Sequence, residues 1–119
     1  MLLQTVTPVS VLGTTVLLAL FLSVTAHIAA RNVIGDVDPR RALYVGPLPA
    51  VISVVGNAFD APAALVLLGA LLVDGTVFWW SYEEPRRVVA AMTLIHAVVT
   101  TLLVGLLLLA SVLLASMPG

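Results

Sequence analysis

The chain has no cysteine, so disulfides, thiol nucleophiles and thiolate metal ligands are all excluded. It also has no lysine: its five cationic residues are all arginine. Charge of either sign is scarce. Charged residues make up 9% of the chain, against about 25% in a soluble domain, too few to coat a water-exposed surface. The net charge of −1 supplies no basic field for nucleic acid. No phosphate-binding loop, nucleophile elbow or metalloprotease motif occurs, and no enzymatic function is expected.

What fills the chain instead is apolar: hydrophobic residues reach 61%. Three apolar stretches exceed the ~18 residues that cross hydrocarbon as a helix. A soluble fold would have to bury all three in one core, and 119 residues supply no shell for it. The expectation is therefore all-α: an integral membrane four-helix transmembrane bundle, with residues 1–119 forming a single transmembrane domain in contact with the lipid bilayer.

The first span is expected over about 9–30, opening after Pro8, whose missing N–H suits a first helical turn. Thr25-Ala26-His27-Ile28-Ala29-Ala30 imitates a signal-peptide cleavage region. No cation precedes the apolar run, however, and the run is longer than the ~7–15 residues of a signal core, so it is read as a true first helix. Residues 31–41, with Gly35, Asp36, Asp38 and Pro39, read as a loop. The second span, 42–59, is short and carries Pro47 and Pro49 in its first half, which predicts an irregular start or a kink. After a turn at Asn57–Asp60 the third span runs over 61–80, with Asp60 expected as its cap and Pro62 in its first turn. Glu83-Glu84-Pro85-Arg86-Arg87 reads as a loop capping the fourth helix. That helix, 88–116, is longer than the hydrocarbon is thick and should tilt or protrude.

Arginine decides whether the doubtful second span crosses. If it does, Arg31, Arg40, Arg41, Arg86 and Arg87 all lie on one side, five against none. If it does not, the loops fall on opposite sides, three against two. Short-loop arginine concentrates on the cytoplasmic side, so four spans explain the charges and three do not. These arginines then act as cytoplasmic anchors in a cell membrane, with both termini outside. Tyr44, Trp79, Trp80 and Tyr82 fall at the same boundary, where amphipathic rings prefer to lie.

Ionisable side chains at membrane depth are costly and raise a functional hypothesis. There are three: His27, Asp74 and His96. Counted from Arg31, Tyr82 and Arg87, they lie roughly 6–14 Å inside the cytoplasmic boundary and share one layer. Ala19, Ser23 and His27 follow one stripe, Ala63, Leu67, Ala70 and Asp74 another. Thr93, Ala97, Thr101 and Gly105 form a small-residue stripe expected to pack helices, with His96 and Thr100 beside it. The plainest reading of the three ionisable groups is a set of hydrogen bonds that fix helix packing. The alternatives are a proton- or ion-handling cluster, haem b ligated by His27 and His96, and a metal held by two histidines and a carboxylate. Asp36 and Asp38 read as part of a solvated loop, and Asn57 and Asp60 as shaping the external turn.

The stretch His27-Ile28-Ala29-Ala30-Arg31-Asn32-Val33-Ile34-Gly35-Asp36-Val37, then Arg40-Arg41-Ala42-Leu43, is the most distinctive in the chain. With the later Ile95-His96, it resembles a group of small, uncharacterised multi-pass membrane proteins of halophilic archaea. The lack of lysine fits that source. The resemblance covers most of the chain and implies a setting, with no activity and no further site residues.

From small size, short loops and small-residue stripes, the expected role is an accessory or structural subunit packing against a larger membrane complex. The alternatives are an oligomeric proton or ion transporter or channel using the Asp/His cluster, and a haem- or metal-binding membrane protein. The expected partners are a membrane protein or further copies of the chain.

Overall fold

A computed structural model describes residues 7–118, and every regular element among them is helical. Helix α1 is Pro8–Val33. Thr7 caps it: its side chain accepts from the Ser10 N–H while the Ser10 hydroxyl oxygen accepts from the Thr7 N–H. The helix runs three residues past the expected end, and Asn32 bonds back to the Ile28 carbonyl there at 2.8 Å. Gly35, with φ +93°, then turns the chain in a conformation few side chains tolerate.

A single 3-10 turn, Pro39–Arg41, leads into α2, Ala42–Val45, and α3, Pro47–Ala58. The two meet at Gly46, whose backbone remains helical. The interruption follows from sequence: Pro47 and Pro49 have no N–H to give the Leu43 and Val45 carbonyls. The stretch 42–58 therefore holds its course as a broken rod about 25 Å long.

Helix α4 is Ala63–Tyr82 and α5 is Arg86–Ala115. Two expected caps are corrected. Pro62, not Asp60, precedes α4, with no side-chain cap; Asp60 adopts φ +54° and closes the turn after α3, its N–H on the Asn57 carbonyl. No side chain of the Glu83–Arg87 loop caps α5 either. Glu83 instead ends α4 in the left-handed conformation, its N–H on the Trp79 carbonyl.

Helices α1, α4 and α5 are long and apolar enough to cross a membrane. The packing is antiparallel: a Cβ on Gly56 would meet Val66 near one turn, while Tyr44 stacks edge-on against Trp80 at the opposite end. Arg41 donates to the Ser81 carbonyl and the Ser81 hydroxyl to the Arg41 carbonyl, tying the two arginine-bearing loops together. All five arginines thus gather at one end of the molecule, called here the arginine end.

Burial is confined to that end. Every buried residue among those described falls within 22–30, 42–50, 74–82 or 89–96. Ala26, Ala30, Ala42, Val45, Val77, Phe78, Tyr82, Val89 and Met92 form one core. Gly46 sets how closely α1 approaches: a Cβ there would stand 2.5 Å from the Ala19 carbonyl oxygen and the Ser23 nitrogen. Small residues at such crossings let backbones touch where lipid gives no hydrophobic push. Toward the termini the packing loosens, although α3 and α4 still touch at Gly56 and Val66, and none of residues 51–73 or 97–118 is buried.

Candidate functional site: an Asp–His dyad between three helices

The packed half contains one strongly polar centre. His96, on the buried face of α5 with Val89 and Met92, directs Nδ1 to Asp74 Oδ2 of α4 at 2.5 Å. Its other nitrogen, Nε2, meets Thr25 Oγ1 of α1 at 2.7 Å and the Leu22 carbonyl oxygen at 3.1 Å. Thr100, one turn along α5, donates to Thr25 Oγ1 at 3.1 Å. Phe78 closes the site edge-on, its ring 5.5 Å from the imidazole. Asp74 and His96 are 4% and 3% exposed, so bulk solvent does not screen their interaction.

Partner chemistry assigns the hydrogens. A carbonyl oxygen only accepts, so the contact with Leu22 is a hydrogen bond when Nε2 carries hydrogen. Thr25 then donates its own hydrogen to the Leu22 carbonyl at 3.0 Å and accepts from both His96 and Thr100. One further proton lies between Nδ1 and Oδ2. On either atom, the dyad has zero net charge, the arrangement that low dielectric tolerates.

This geometry revises the expected cluster. Asp74 and His96 meet, but His27 makes no hydrogen bond to either and its Nδ1 has no partner. At about 100° of rotation per residue, His27 stands beyond the edge of the α1 face that buries Leu22, Thr25, Ala26 and Ala29. Thr25 takes its place. The haem reading does not fit: Nε2, the nitrogen His96 has beyond its bond to Asp74, is occupied by Thr25 and the Leu22 carbonyl. Among the described residues no group of three or more His, Asp or Glu comes together to hold a metal ion.

The expected packing stripe is only partly covered by the chain's own helices. Thr93 and Ala97 are half-buried, but Thr101 and Gly105 are exposed, and nothing stands within 4 Å of a Cβ built on Gly105. A four-residue spacing drifts by about 40° per step, which carries the stripe off the face that holds His96. The face that packs runs Val89, Met92, His96. On α4 the expected stripe is covered at Asp74 alone, with Ala70 half-buried and Ala63 and Leu67 exposed.

The anchors divide. Arg31 pairs with Asp36 at 3.4 Å and Arg40 with Asp38 at 3.8 Å, both on the surface, while Arg86 and Arg87 are exposed. Arg41 also clasps Ser81, a packing role that sequence gave no sign of.

The family of unknown function DUF7473 matches residues 5–118. No curated protein and no solved structure matches the chain.

Proposed function

We propose that this chain, which belongs to DUF7473, a family of unknown function, is a four-span membrane protein acting as an accessory or structural subunit. The broken α2–α3 segment serves as the fourth span. The arginine end lies in the cytoplasm and both termini outside, following the tendency of short-loop arginine.

One observation carries the packing role. The small-residue line Thr93–Ala97–Thr101–Gly105, of the kind that lets helices approach closely in lipid, is left largely uncovered by the chain's own helices. The face fits a helix of a neighbouring membrane protein, while the dyad holds the chain's own helices in register. Because the chain has no cysteine, a single cysteine introduced as Thr101→Cys reports its neighbour by cross-linking in native membranes. The expected product is a defined heteromeric species, lost when Ala97→Leu is added with helicity unchanged. Cross-linking of the chain only to itself replaces the subunit reading with a homo-oligomer, and no defined product removes both.

A second reading, a proton- or ion-handling protein, is favoured by Asp74 Oδ1, which is buried and has no partner.

A further inference from the structure

A cavity lies beside the residue that carries the unpartnered oxygen. A space of about 170 Å³ beside the dyad is lined by Asp74, Ser53, Thr100 and Thr101 among apolar neighbours. The hydroxyls are oriented by where their hydrogens go. Ser53 donates to the Pro49 carbonyl at 2.9 Å, Thr101 to the Ala97 carbonyl at 2.8 Å, and Thr100 to Thr25 at 3.1 Å. Each has committed its single hydrogen and presents only lone pairs to the space. Asp74 Oδ1 adds the strongest acceptor. Of these acceptors Asp74 Oδ1 is the buried one, and it is unsatisfied until a donor or a cation enters.

The cavity adjoins crevices on two sides. A second crevice, about 620 Å³, shares Ser53, Leu67 and Ala70 with the first and reaches Asn57 and Ala61 at the turn remote from the arginines. A third, about 540 Å³, shares Leu71 and Ala97 with the first and reaches Trp79 and Arg86 at the arginine end.

We propose that this cavity is a binding site for a small monovalent cation, bound in exchange for the dyad's shared proton. The inference goes beyond the packing role and does not depend on it. Four oxygens, one of them a carboxylate, suit a hard cation of single charge; a divalent ion would leave uncompensated charge in low dielectric. The exchange balances: the cation takes the Asp74 carboxylate, one proton leaves, and neutral His96 keeps its remaining hydrogen on Nδ1 to donate to Asp74 Oδ2, while the Thr25 hydroxyl turns to donate to Nε2. The pair then carries zero charge with either occupant. Among the described residues no other charged group bonds to the dyad, whose remaining partners are Thr25 and the Leu22 carbonyl.

Two measurements on the full chain in lipid nanodiscs test this. In weakly buffered choline chloride with a pH indicator, adding sodium or lithium chloride should release up to one proton per chain. The release should vanish in Asp74→Asn and weaken several-fold in Ser53→Ala, which leaves the dyad intact. Separately, Ser53→Cys should react with a water-soluble cationic thiol reagent, and sodium should slow the reaction, whereas Leu68→Cys on the exposed face of α4 should stay inert. Absence of proton release from the wild type overturns the proposal. So does release that persists in Asp74→Asn. A reactive Ser53→Cys without proton release marks a water-filled cavity only, and an unreactive one marks a space filled by lipid; both also overturn it.

Discussion

The arginine end and the termini end of this molecule are built from the same four strands of helix and differ in almost everything else. At the arginine end, alanine and glycine bring helices together around Phe78 and Met92, and a network of Asp74, His96, Thr25 and Thr100 links three of them. At the termini end, leucine and valine face outward along α1, α4 and α5, and no residue of 97–118 is buried. In water that asymmetry would be untenable. In hydrocarbon, lipid tails solvate leucine as well as another helix does, so packing goes where small residues and hydrogen bonds reward contact. The lesson is that hydrophobicity places these helices and polarity joins them.

Substitutions that separate the two ends sharpen the contrast. The largest effect is expected from Asp74→Leu, which strands His96 in the core and should cost about 3–5 kcal/mol, read by reversible unfolding in mixed micelles. Phe78→Ala should follow, at about 3 kcal/mol, since it empties the centre of the core and loosens the cover over His96. A loss below ~1 kcal/mol in either would show that the packed half is not where stability resides.

Two glycines make a matched pair across the ends. Gly46→Ala places a methyl group against the α1 backbone and should destabilise by about 1–3 kcal/mol. Gly105→Ala meets nothing and should leave the fold unchanged or stabilise it by up to ~1 kcal/mol through helix propensity. Equal responses would erase the distinction. Smallest of all, Leu107→Ala, on exposed helix at the termini end, should shift stability by less than ~0.5 kcal/mol.

Much of this was legible in the sequence because it depends on local chemistry. Apolar runs gave the helices, Gly35 and Pro39 the first loop, and Pro47 and Pro49 the interruption of the second segment. The depth count brought Asp74 and His96 into one layer, where the structure joins them. Rotation was not legible. A helix with polar residues on several sides, such as α1, does not declare whether Thr25 or His27 faces its neighbours. The difference is set by Gly46, which fixes how α1 lies against α2–α3 from outside α1 altogether. Likewise the stripe ending at Gly105 had the right residue types, but its spacing walks around the helix and away from the dyad. Arg41 looked like an anchor because its partner is a backbone carbonyl, a group that every residue has and no sequence singles out.

The central claim is that Asp74 and His96 form one interhelical unit, and a double-mutant cycle addresses it most directly. Asp74→Leu, His96→Leu and the double substitution are compared in the same unfolding assay. The double variant should be more stable than either single one, because no polar group is then left buried without its partner. That outcome corresponds to a coupling energy larger than either single loss, about 3 kcal/mol or more, at or above the upper end of what contacting residues show. Additive losses, with coupling near zero, would mean that the two residues do not meet and that the packed half is held together by something else.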